Sequence, residues 1–202
     1  SFVAGPPPPS GRLIWRPGRN KGRRGDAMIA QLRCILLLVM ALLAVPVAAQ
    51  DDALRTYVPD AELVGEARLR MFFLKIYDAQ LFAPNGRFSR DDAYALRLTY
   101  LIDAKKDRIV ERTVKEMKRQ KAASSLVIEG WVPLMEANFI SMPKGSSADF
   151  IHTDDGRLIL AANGDAIAEI TNRRFIKALM DIWLGPKARD LEFQRKLMGT
   201  AQ

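Results

Sequence analysis

The stretch FFLKIYDAQLFAP, residues 72–84, is mostly apolar on both of its sides. A strand with one wet face alternates apolar and polar residues. Here alternation puts Phe72, Leu74, Ile76, Asp78, Gln80 and Phe82 on one side. Phe73, Lys75, Tyr77, Ala79 and Leu81 fall on the other. Both sides need cover, and the presence of Lys75 and Asp78 among apolar neighbours needs a reason.

The elements around this stretch set the fold class. LVGEARLRM (63–71) reads as a strand, and residues 72–83 either continue it or pair with it. Asn85-Gly86 marks a turn, and AYALRLTYLI (93–102) alternates as a strand. The period then changes. In KKDRIVERTVKEMKRQ (105–120), Ile109, Val110, Thr113, Val114 and Met117 form one helical stripe. Residues 124–141 also read as helix, although Gly130 and Pro133 interrupt it. SADFIHT, RLILAA and AIAEI, separated by Asp155-Gly156 and Asn163-Gly164, predict a three-strand meander. Asn172 caps a helix, RRFIKALMDIWL, which Gly185 ends and Pro186 forbids from continuing. A last helix is predicted over 187–198, stopping at Gly199. Strands, helices, strands, helices is the order of an α+β protein: an antiparallel sheet with helices packed on one face.

The N-terminal quarter has a different character. Residues 1–27 are rich in Pro, Gly and Arg and read as a disordered extension upstream of the true start, Met28. Arg33, the apolar run from Ile35 to Val45, and Val47 and Ala49 before a cut have the layout of a secretory signal peptide over 28–49. The run is short for a membrane span, which needs about 20 apolar residues. The expected organisation is therefore an extension (1–27), a signal peptide (28–49) and one exported, periplasmic domain (50–202).

This division changes the meaning of the charge. The chain carries a net +8, but residues 1–49 account for +6 of it. A domain near +2 gives no electrostatic argument for a nucleic-acid partner. The single cysteine, Cys34, lies in the leader, so the domain has neither a thiol nucleophile nor a disulfide.

Catalytic motifs are sparse. His152 is the sole histidine and has no GxSxG partner, so it reads as an ordinary strand residue and no metal site is expected. Phosphate-binding and dinucleotide glycine patterns are missing, and no cofactor is expected. Asp91-Asp92 and Asp154-Asp155 fall at turns, where Asp bonds its own backbone. The basic face of helix 105–120 is interleaved with Asp107, Glu111 and Glu116, as on a solvated surface.

The pieces VGEARLRMFFLKIYDAQLFAP, ALRLTY, NGDAIAEI, FIKALMDIWLGP and the terminal LMG together resemble the chalcone isomerase-like family, in its exported bacterial branch. The resemblance runs from about residue 60 to 199. It implies an open-faced sandwich, with a cleft between sheet and helices. In the plant enzymes that cleft closes a chalcone ring; relatives of the same fold bind fatty acids without that activity.

The reaction residues of the enzymes do not transfer cleanly. A threonine position falls on Tyr77 and a tyrosine position near Asp107. An arginine position falls between Gly65 and Leu69, with Arg68 and Arg70 as the candidates. Ring closure needs a cation to hold a phenolate and a placed hydroxyl. Arg68 and Arg70 share a strand face, so both point into the cleft or both point away.

The resemblance leads to a non-catalytic binder of a small apolar ligand such as a fatty acid. In this reading one side of strand 72–83 packs on helices and the other lines the cleft. Lys75, Tyr77, Phe73 and Tyr100 are the ligand-binding candidates, with Lys75 and Tyr77 on a common face and Asp78 opposite. Two alternatives remain: an isomerase (intramolecular lyase) acting on a chalcone-like or unsaturated substrate, and a structural or partner-binding envelope protein that touches a membrane surface through the basic helix.

Overall fold

A computed structural model describes residues 52–200. The extension and signal peptide expected over 1–49 lie outside the described residues. After a short helix α1 (Asp52–Tyr57), the chain forms β1 (Ala61–Met71), β2 (Leu74–Pro84) and β3 (Tyr94–Tyr100). Helices α2 (Lys106–Gln120), α3 (Ser125–Gly130) and α4 (Val132–Asn138) follow. The meander β4 (Ser147–His152), β5 (Leu158–Ala162) and β6 (Asp165–Ile170) leads to α5 (Arg173–Leu184) and α6 (Leu191–Leu197). The six strands form one antiparallel sheet in the order β1-β2-β3-β4-β5-β6, with every strand beside its sequence neighbour.

Local chemistry explains most boundaries. Asn85-Gly86 and Asn163-Gly164 have φ of 52° and 65°, and of 52° and 91°. Such left-handed pairs make tight turns: Asn163-Gly164 is the whole loop of the β5–β6 hairpin, and Asn85-Gly86 turns the chain where β2 ends. The Asn172 side chain accepts the Phe175 amide at 3.0 Å and starts α5. At the other end of α5, Arg90 donates to the Leu184 carbonyl and, at 2.8 Å, to Asp181. Gln194 Nε2 donates to the Leu184 and Gly185 carbonyls at 2.9 and 2.6 Å. The IWLGP stop is thus held from two sides. Residues 124–141 resolve into two short helices rather than one, and Pro133 sits in the first turn of the second, where its missing N–H costs nothing. The last helix starts at Leu191, later than its pattern predicts, because Asp190 accepts the Glu192 and Phe193 amides and makes the cap there.

The main core lies between the sheet and the helices. Leu81, Leu96, Leu98 and Leu158 of the sheet meet Met117, Ile128, Met135, Phe175 and Leu179 from the helices, all fully buried. Each such side chain contributes on the order of 1.5–3 kcal/mol. The C-terminal end of α6 closes directly on β1. A Cβ on Gly65 would collide with the Lys196 carbonyl and lie 2.7 Å from that of Leu197. A Cβ on Gly199, at φ 65°, would likewise lie 2.7 Å from the Val64 carbonyl. The VGEARLR and LMG motifs, at opposite ends of the domain, are therefore one backbone contact.

The opposite face is not bare. Helix α1 packs Ala53 and Leu54 there, with Val58, against Ala95, Ile151, Ile159 and Ala161. A bidentate pair lies on the same face. Arg97 Nε donates to Asp149 Oδ1 at 2.7 Å, and its Nη2 to Oδ2 at 3.0 Å. Its guanidinium carbon stands 5.8 Å from the Phe82 ring centre. Asp149 is fully enclosed and Arg97 nearly so. Phe82 therefore has cover on the side that alternation left unexplained, and α1 is a departure from helices on one face alone.

Candidate functional site

The register of the first hairpin decides where the candidate residues go. β1 and β2 pair as Arg68↔Asp78 and Leu69↔Tyr77, but then as Arg70↔Lys75. Ile76 is therefore an extra residue, a bulge on β2. Cross-strand partners share a face, so the bulge turns Lys75 to the side of Arg70, away from that of Tyr77. The expected sharing of a face by Lys75 and Tyr77 is corrected: alternation was counted through a position where the pleat slips.

Arg68 and Arg70 do lie on one face, and it is the outer one. Arg68 grips Asp78 with two hydrogen bonds, its Nη2 reaching Oδ2 at 2.7 Å. That pairing is why an aspartate stands in the opening stretch. The Arg68 guanidinium holds the Asp78 carboxyl below the usual carboxylate range. Neither arginine is available to an interior cleft. Phe73 does not line the interior either; it is fully exposed, beside Phe72, in the turn between β1 and β2.

Tyr77 and Tyr100, by contrast, are brought together. They are register partners on β2 and β3, with ring centres 6.0 Å apart in an edge-on arrangement. The Trp183 indole N–H of α5 donates to the Tyr77 hydroxyl at 2.8 Å. Phe150 of β4 packs against Trp183 with centres 5.4 Å apart. Four rings thus fill the space between the sheet and α5. An open cleft at Tyr77 is not what the chain builds, because Trp183 occupies that volume and takes the hydroxyl as its partner. The sequence places Trp183 in the helix RRFIKALMDIWL but does not show this bond, which joins residues too far apart to leave a local pattern.

The hollow lies one strand further on. A cavity of about 40 Å³ is lined by Tyr100, Ile109, Phe139, Met142, Phe150 and Leu160. It sits at the end of the sheet where β3 finishes and β4 begins. Pockets for drug-sized ligands run to roughly 300–1,000 Å³. The space is therefore a seed that side chains must enlarge. Met142 lines it, and the core behind it is suited to that. Met117, Met135, Met142 and Met180 are all buried in this core, and thioether chains repack at low cost.

Burial sets the chemistry of the tyrosines. It raises Tyr77 above the ordinary phenol range, and it pushes Tyr100 up to about 12. Tyr94, between Phe88 and the stacked His152, is likewise pushed up to about 12 by burial. Near neutral pH all three are neutral hydrogen-bonding groups. The linkage sign follows. The unfolded phenols titrate near about 10, so above that pH the unfolded chain holds fewer protons than the folded one. The stabilising contribution is complete below about pH 10 and is lost as pH rises toward and through the folded values. Denaturant midpoints are expected to fall above that pH, and Tyr77→Phe to flatten the fall. An unchanged slope in Tyr77→Phe would contradict the shielding of its hydroxyl beneath Trp183.

The remaining sequence candidates have structural partners. Asp154 Oδ1 accepts the Ala93 amide at 2.7 Å, and Asp155 accepts Arg157 Nε at 2.7 Å. On the basic helix, Arg108 pairs with Glu111, Lys118 with Glu129, and Glu116 with both Arg119 and Arg189. Among the described residues no group of His, Cys, Asp and Glu could hold a metal ion.

A six-stranded antiparallel meander, carrying helices α2 to α6 on one face and an aromatic cluster between the layers, defines an open-faced sandwich. The chalcone isomerase-like family profile matches residues 49–199. The chain belongs to the chalcone isomerase-like family. Among solved structures it is similar to a fatty-acid binding protein of Arabidopsis thaliana, with a TM-score of 0.53 and 11% identity. That match covers 70% of this chain and 88% of the plant protein. No curated protein sequence matches.

Proposed function

We propose that this chain is a non-catalytic binder of a small apolar ligand, of the fatty-acid class, exported by a signal peptide over residues 28–49. The observation that carries the reading is the apolar cavity beside Tyr100, Phe139 and Met142, set in a methionine-rich core between sheet and helices. The fatty-acid binding protein of similar fold supports the same class of guest. The isomerase reading is disfavoured by geometry, since Arg68 is committed to Asp78 and the Tyr77 hydroxyl to Trp183. Export is supported by the charged start, short apolar run and small residues before Gln50.

In this reading the guest enters at the end of the sheet, displaces Phe139 and Met142, and lays its chain along Tyr100 and Leu160. Neutral Tyr100 offers a hydroxyl to the head group. Native mass spectrometry of protein recovered from the periplasm tests the proposal. The expected result is a chain starting at Gln50 that carries one fatty-acid molecule. Ala148→Leu, which puts an isobutyl branch into the cavity wall, is expected to weaken fatty-acid binding by about tenfold or more without lowering Tm. Wild-type protein that takes up no fatty acid, or an Ala148→Leu protein that binds unchanged, would overturn it.

A further inference from the structure

The turn that joins β1 to β2 is built against the rules of hairpin chemistry. It has two residues, Phe72 and Phe73, where Gly, Asn or Asp is favoured at the first. Phe72 takes φ 55°, in the left-handed region. Apart from glycine, the other described residues with positive φ are Asp60, Asn85, Lys121 and Asn163. A bulky aromatic residue there is a strained outlier. Both rings are also almost wholly in solvent, at 96% and 105% relative exposure, with Met71 and Leu74 exposed beside them. The chain bears a backbone cost and a solvation cost at a position where Asn-Gly would avoid both. Folding does not explain four consecutive exposed apolar residues.

The charges around this tip share one sign. Between Ala67 and Tyr77 the sequence holds Arg68, Arg70 and Lys75 and no acid. Asp78, the next acid on β2, is taken by Arg68. Arg70 and Lys75 face each other across the strands just behind the tip. Arg112 of α2 reaches it as well, with its Nη1 3.1 Å from Met71 Sδ.

We propose that the Met71–Leu74 tip inserts into the interfacial layer of a bilayer containing anionic lipid. Aromatic side chains partition to that layer, and cations held just behind them meet lipid phosphates. A second copy of the chain is the poorer occupant, because a two-fold contact through this tip would set Arg70, Lys75 and Arg112 against themselves. The tip also lies at the same end of the sheet as the Tyr100 cavity, since Tyr77 near the start of β2 pairs with Tyr100 at the end of β3. Docking by this tip would point that end of the domain at the membrane. The proposal stands on the tip alone and does not need the ligand.

Flotation with vesicles tests it directly. The domain is expected to bind vesicles of phosphatidylcholine with phosphatidylglycerol, to bind phosphatidylcholine alone weakly, and to lose binding as salt is raised. Phe72→Asn with Phe73→Gly puts a residue that tolerates positive φ at position 72 and removes both rings, so Tm should hold or rise while vesicle binding falls by about tenfold or more. Arg70→Gln with Lys75→Gln should lower binding to the anionic vesicles by about tenfold and flatten the salt dependence. In Phe73→Trp, the added indole emission should shift to the blue with anionic vesicles only. The proposal is overturned if the wild type stays unbound, if the Asn-Gly protein binds equally well, or if the tip instead supports a concentration-dependent dimer that the Asn-Gly protein lacks.

Discussion

Asp149→Ala is expected to lower stability by about 3–5 kcal/mol, more than any other single change on the sheet. The reason is the Arg97 guanidinium. It lies against Asp149 and beside the Phe82 ring, and removing the carboxylate takes two hydrogen bonds from a charge that is only 11% exposed. The pair itself contributes far less than its removal costs, because both groups lost hydration to form it. Arg97→Met combined with Asp149→Leu is therefore expected to recover most of the loss. Urea unfolding with a constant m value measures both. A cost below about 1 kcal/mol for Asp149→Ala would mean that Arg97 escapes to solvent.

Gly65→Ala is expected to cost about 3 kcal/mol and to lower Tm by roughly 10 °C. The added methyl would meet the Lys196 and Leu197 carbonyls, which belong to backbone and cannot rotate aside. Helix α6 would have to lift from β1, taking buried Phe193 and Leu197 with it. Gly130→Ala is the control, since nothing stands within 4 Å of its added Cβ. That change at the end of α3 is expected to be neutral or slightly stabilising. Equal effects at the two glycines would contradict the close approach of α6 to β1.

The order of elements was legible because each has a strong local period. The switch from alternation in ALRLTY to a helical stripe at Ile109, Val110, Thr113 and Met117 needs no tertiary information. The Asn-Gly turns, the Asn172 cap and the Gly-Pro stop are also local chemistry. The site was legible only in part. Tyr77 and Tyr100 do meet, but the bulge at Ile76 leaves no composition signal, and it moved Lys75 to the other face. The Phe72-Phe73 turn carries neither Gly nor Asn, so it read as strand. Arg97 and Asp149 were the most accessible of the missed features. Each is a charged residue near the centre of an otherwise apolar strand, and a sheet covered on both faces favours pairing such residues with each other.

One structural tension defines what should be measured next. The interior offers about 40 Å³ beside Tyr100, and a fatty acid needs several times that. The account requires Met142 and Phe139 of the lining, and the core methionines behind them, to move. Methyl NMR of delipidated protein titrated with a long-chain fatty acid reads this directly. The account predicts saturable shifts in the Met135, Met142 and Ile109 methyls at one equivalent. Interior methyls that stay unchanged, with shifts confined to Met71 at the exposed hairpin tip, would contradict it.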